Sequence, residues 1–268
     1  LNSDNTYDGT TTITQGRLVF GHTGAAGVAG STINLNTNSD RSAQLEFRIN
    51  GSGPFLFDNA VVTGGGNDNS DRLITIGPTG PGSENQTVQI SSLTIGHGGT
   101  YAVGGADNSA IFFDGFNGYQ LEIGSIGLNR DISLRPRGAL TTVTGVISGA
   151  AGNDLEKNDQ GTLWLNGDNT YLGSTTITSG YLVLGHDNAL GAATSDVTFR
   201  STPLSQVLAS GTRNISRNFI NTATGGVQTL GGLDAGAKLF SGNVNLSTRG
   251  VALSAITGGD VTFSGVIS

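Results

Sequence analysis

The sequence predicts an all-β solenoid, and three observations predict it. Apolar and polar residues alternate in runs of about four to six, the two-residue period of a half-buried strand. No stretch places apolar residues at i, i+3, i+4 and i+7 behind a capping signal, so essentially no α-helix is expected. The chain also echoes itself at two different offsets, a mismatch that stacked windings absorb and a closed barrel or sandwich does not.

The alternating runs come in order along the chain. Thr32-Ile33-Asn34-Leu35, Gln44 to Ile49, Leu73-Ile74-Thr75-Ile76 and Asn243-Val244-Asn245-Leu246 each present one buried and one wet face. Gly, Asn, Asp and Ser flank them, residues that turn the chain cheaply.

Composition then narrows the class. The 268 residues include 44 Gly and 32 Thr, and only 12% are charged. Such a chain would be a disordered linker but for its hydrophobic residues, 35% of the total and set in ordered short runs. Net charge is −7, with two Lys among 13 cationic residues, so no cationic face for nucleic acid is expected. Zero cysteines removes disulfides, thiolate zinc sites and thiol nucleophiles. No apolar run reaches the roughly 18 residues of a transmembrane helix. The sequence opens on Leu1 rather than Met, as expected of a processed product or an excerpt from something longer.

The repeats set the architecture. LNSDNTYDGTTTITQGRLVFGH, from Leu1 to His22, realigns with LNGDNTYLGSTTITSGYLVLGH, from Leu165 to His186, at offset 164 with 16 of 22 identities. TTVTGVIS (Thr141 to Ser148) and VTFSGVIS (Val261 to Ser268) realign at offset 120. The first unit is therefore 44 residues longer. With coils of roughly 20 to 25 residues, that excess amounts to about two extra coils within 28–140 of a single 1–268 solenoid. Copies of the repeat occupy 1–27 and 145–191.

One coil is readable in the second copy. Alternation puts Leu163, Leu165, Thr175, Ile177, Leu182 and Leu184 inward, and Trp164, Thr176, Thr178, Tyr181 and Val183 outward. Coils stacked about 4.8 Å apart pair strand N–H and C=O groups with the windings above and below. Roughly a dozen coils make a rod on the order of 55 to 60 Å long.

Residues Gly145 to Gly191 resemble the autotransporter-associated β-strand repeat, or passenger-associated transport repeat. Gly161, Leu163, Leu165, Asn169, Thr170, Tyr171, Gly173, Thr175, Ile177, Gly180 and Leu182 stand at matching positions of its "GTL-x-L-x-G-x-NTY-x-G-x-T-x-I-x-x-G-x-L" pattern. The match covers clearly about a quarter of the chain, and Trp164 stands where the family usually has a small polar residue. The resemblance implies a right-handed parallel β-helix, secreted or on the bacterial surface. It brings no catalytic residues with it.

Candidate chemistry is sparse. His22, His97 and His186 each follow a strand and a glycine and read as turn-lining residues, since a metal site needs several ligands converging. Asp114, in FFDGF, and Glu122, in QLEIG, are the candidate acids of a polysaccharide-degrading β-helix enzyme. No acid spacing recurs to put several on successive coils, so neither catalysis nor a cofactor is expected. Asp68-Asn69-Ser70-Asp71 has oxygen ligands at calcium-loop density but lacks the distal Glu. The dense Thr rows, Thr10 to Thr14 and Thr175 to Thr178, occur in the two copies and not between them, which β-propensity explains better than an ice-binding face. Arg130, Arg135 and Arg137, with Asp131 between, form the densest cationic cluster and read as local ion pairing.

Two surfaces remain. Trp164 and Tyr181, outward on different strands of one coil, suit a sugar or protein contact. Leu1, Val266 and Ile267 mark ends without a capping helix or polar repeat, which suits head-to-tail contact between copies. The expected role is an extracellular scaffold, stalk or fibre whose partners are copies of itself. The alternatives are an adhesin or glycan-binding passenger on surface glycans and, third, the enzyme.

Overall fold

The computed structural model describes residues 1–36, 43–64, 72–96, 110–200, 204–247 and 249–268. Every strand pairing in it is parallel, as a stack of windings requires and hairpins would not give. The strands fall into three columns, one per face of each winding. The first runs from the leading half of Phe55–Thr63 through Gln120–Ile123, Thr141–Val143, Thr162–Leu165 and Gly180–Leu184 to Ala252–Ser254. The second runs from Thr11–Ile13 through Thr32–Leu35 to Ile147–Gly149, and resumes at Arg213–Ile215, Lys238–Phe240 and Val261–Phe263. The third is a ten-stranded sheet from Gly16–Phe20 to Val244–Asn245, extended by a bridge from Val244 to Ile267. At the usual strand spacing this column is on the order of 50 Å tall. The fold is a parallel β-helix, as the sequence predicts.

The core is the inward row of every strand. Leu163, Leu165, Thr175, Ile177, Leu182 and Leu184 are buried, as alternation requires. Rings stack from winding to winding: Phe20, Phe47 and Phe57 form one cluster, and Phe199, Phe219, Phe240 and Phe263 form a second. Two residues expected outside are also buried. Val183 is pinned in its outward row between Trp164 and Leu208, and Thr176 between Glu156 and Thr198. Among the described residues there is no α-helix, and one 3₁₀ turn spans Thr23–Ala26.

Register corrects the coil arithmetic. Six windings plus one face separate Leu1 from Leu165, and five plus one face separate Thr141 from Val261. The longer unit therefore holds one additional winding rather than about two. The rest of its excess widens individual windings: Arg72 pairs with Ile111, 39 residues on, whereas Leu155 pairs with Thr175, 20 residues on. Wide windings leave the register of the columns intact, so they cost the stack little.

The extra face puts the two copies out of phase. Thr11–Ile13 lies in the second column, yet its counterpart Thr175–Ile177 lies in the third; Gly16–Phe20 lies in the third, and its counterpart Gly180–Leu184 in the first.

Candidate functional site

The repeat motif is a corner that clamps three windings. Asn169 is buried in a corner, its Oδ1 accepting from Ile147 N at 2.7 Å below and its Nδ2 donating to Ala189 O at 2.6 Å above. Tyr171 lies beside it, fully buried, its hydroxyl 2.7 Å from Thr175 Oγ1; burial pushes its pKa up to about 12. Gly191, at φ 71°, crosses above this tyrosine, where a Cβ would lie 2.6 Å from Tyr171 O. These contacts explain the Asn-Thr-Tyr string, which sequence reading recognised as a pattern without assigning roles.

The histidines close the same corners. His22 Nδ1 accepts from Gly24 N at 3.2 Å and His186 Nδ1 from Asn188 N at 3.1 Å, so both line turns. His97 and the Asp68-to-Asp71 loop lie outside the described residues.

The two proposed acids are held apart. Asp114 sits on the third face, gripped by Arg137 through Nε at 2.8 Å and Nη2 at 2.9 Å. Glu122 sits on the first face and accepts from Gln89 Nε2 at 2.5 Å. Asp131 does not pair with Arg135 or Arg137. Its Oδ1 accepts from Asp154 N at 2.7 Å, and burial, outweighing that bond, raises its pKa. Arg135 and Arg137 instead point outward from the third face, which turns them away from that carboxylate.

Trp164 and Tyr181 belong to adjacent windings of the first face rather than to one coil. A whole winding here takes 19 residues, Thr162 pairing with Tyr181, so Trp164 lies opposite Val183 and diagonal to Tyr181. Both are half-buried, and the indole Nε1 faces Gly185, where a Cβ would come within 2.8 Å. Leu1 and Ile267 fall at opposite ends of the third face. Leu1 O accepts from Gly21 N, and Ile267 bridges Val244; Leu1 is 52% exposed, Val266 65% and Ile267 45%.

Sequence reading missed the fate of the chain's two lysines. Both are buried, with the ammonium caged by main-chain oxygens. Lys157 Nζ donates to Asn158 O at 2.8 Å, Asp159 O at 2.7 Å and Ser179 O at 2.8 Å. Burial lowers its pKa to about 7, against the opposing pull of Asp159 and Glu156. Lys238 Nζ donates to Asp234 Oδ1 and Gly236 O, both at 2.5 Å, and to Asp234 O. The Asp234 carboxyl is held well below the usual range, first by Lys238 and then by Ser210. Each lysine ties a loop to the column, a role no spacing signal announces.

Fold and corner together define a class: a parallel β-solenoid whose windings are clamped by an asparagine–tyrosine repeat. A family model for the passenger-associated transport repeat matches residues 1–20 and 155–184, so the match falls within the two copies of the repeat. A curated relative, the Adhesin BmaC autotransporter of Brucella suis biovar 1 (strain 1330), is 42% identical over 60 residues. That stretch is 22% of this chain and 2% of the relative, so the chain spans a small part of that protein's length. No solved structure matches the chain. The chain is an extracellular or bacterial cell-surface passenger segment.

Proposed function

We propose that this passenger segment is a scaffold, a length of surface stalk whose windings can also join end to end. The observation that carries it is the parallel stack, with a core running from Ile13 to Val244. End-to-end joining has its own support in the second echo. Inside the rod, Ile147 N donates to Asn169 Oδ1 and Ile147 O accepts from Thr170 N. Ile267 repeats Ile147, and Asn5 and Thr6 repeat Asn169 and Thr170, so a second copy turned by one face meets the end with matching partners. Exposed Leu1, Val266 and Ile267 add apolar area to that contact.

Electron microscopy of the purified chain, with sedimentation across concentration, tests this. The expected result is files of rods that Val266→Asp and Ile267→Asp break into single rods. Single rods at every concentration would end the joining while leaving the scaffold, and globular particles would end both.

A second reading, an adhesin, is favoured by the relative's name. In that reading the flanks of the rod carry the contact, on surface glycans. The enzyme reading loses its proposed residues, because Asp114 and Glu122 occupy different faces and each is already engaged.

A further inference from the structure

The third face changes character along the rod. In its first five windings the outward rows carry Arg17, Gln44, Leu73, Phe112 and Arg135 in one register, with Val19, Glu46, Thr75 and Asp114 beside them. Further up, the same register runs through Asn158, Thr178, Arg200 and Thr222, and the row beside it through Ser133, Glu156, Thr176, Thr198, Ile220 and Asn245, so the arginines thin to Arg200. Four of the chain's 11 arginines, Arg17, Arg48, Arg135 and Arg137, thus share one stretch of one face, against the carboxylates of Glu46 and Asp114. That local excess of positive charge sits on a chain of net charge −7.

The guanidiniums are held in place. Glu46, buried at the floor of the stripe, meets Arg17 at 3.4 Å and Arg48 at 2.9 Å. Arg48 lies 4.8 Å from the ring of Phe116, and Arg135 and Arg137 lie 5.2 and 4.1 Å from the ring of Phe112. Phe116 is 49% exposed, and Phe112 points outward between the inward-facing Ile111 and Phe113. Such stacking fixes the plane of a guanidinium and leaves N–H edges for a planar or tetrahedral oxyanion, a geometry lysine lacks. From Arg17 to Arg135 the stripe rises four windings, about 19 Å along the axis.

We propose that this stripe, from Arg17 to Arg137, binds an anionic polysaccharide lying along the rod. This deepens the adhesin reading and rests on it. Carboxylates or sulfates of the polymer meet the two arginine pairs, and Gln44 and Thr75 between them face its hydroxyls. The shape favours a polymer over a compact ligand, because the charges are strung along the axis.

The test is binding of the 268-residue chain to an immobilised polyuronate, a sulfated polysaccharide, neutral dextran and single-stranded DNA. Comparison proteins are Arg17→Ser/Arg48→Ser, Arg135→Ser/Arg137→Ser and Trp164→Ala, each checked by melting. Arg→Gln pairs, which keep the aliphatic stem, replace any Ser pair that melts early. The expected result is salt-sensitive binding to one or both acidic glycans, at least about tenfold weaker in either arginine pair and unchanged by Trp164→Ala. The preferred polymer separates carboxylate from sulfate recognition. Binding to dextran alone, or acidic-glycan binding indifferent to the arginine pairs, overturns the stripe but leaves the adhesin reading standing. No retention on any glycan overturns both. Equal retention on DNA overturns the assignment to polysaccharide.

Discussion

The two copies of the repeat share 16 of 22 residues and the same corner chemistry, yet they sit in different surroundings. Tyr7 bonds Thr11 at 2.8 Å just as Tyr171 bonds Thr175 at 2.7 Å, and Asn5 Nδ2 reaches Ala25 O just as Asn169 Nδ2 reaches Ala189 O. But Tyr7 is 36% exposed and Tyr171 fully buried. The difference is the winding beneath the second copy, which Thr141 to Lys157 form. The corner thus forms locally, while the energy of each of its bonds depends on burial supplied from below.

Removing the clamp should give the widest gap between copies. Asn169→Ala strands the buried Ile147 N and Ala189 O and is expected to cost roughly 2–5 kcal/mol in urea unfolding. Asn5→Ala, in a half-exposed corner, should cost about 1 kcal/mol. Equal losses would mean that the floor contributes nothing.

The lysine in that floor sharpens the comparison next, because Lys157 holds Ser179 O of the second copy. The native chain releases this proton near pH 7, whereas the unfolded chain keeps it until about 10.5. Between those values the unfolded state binds more protons, so this group's contribution to stability rises with pH and levels off above about 10.5. The rise is expected to be on the order of a few kcal/mol. Lys157→Met should lose that slope when unfolding is followed across the same pH range, and an unchanged slope would contradict the burial that lowers the pKa of Lys157.

The smallest separation comes from single hydroxyls. Tyr171→Phe leaves a buried Thr175 Oγ1 without its partner and should cost about 1–2 kcal/mol, while Tyr7→Phe, exchanging its bond for water, should stay within about 0.5 kcal/mol. Thermal melts of the two variants read this directly.

Much of this molecule was legible from side-chain alternation. The inward rows, the parallel stacking and the absence of α-helix among the described residues follow from a two-residue period and a repeat of unequal length. The Trp164–Tyr181 geometry was not legible, because the number of residues in a winding decides whether two strands lie in one coil or in neighbours. The arginine stripe was hidden for the same reason. Arg17, Arg48 and Arg135 are far apart in sequence, and only register brings them onto one face.

What the sequence determined alone is local: which side chains point inward, where corners turn, and that Asn169, Tyr171 and Thr175 form one unit. Tertiary structure decided which face each unit occupies. Each of the three faces is a parallel ladder with an apolar inner row, so a corner fits any of them equally well. Loop lengths between windings, which carry little local signal, therefore set the phase, and the phase decides which outward residues become neighbours.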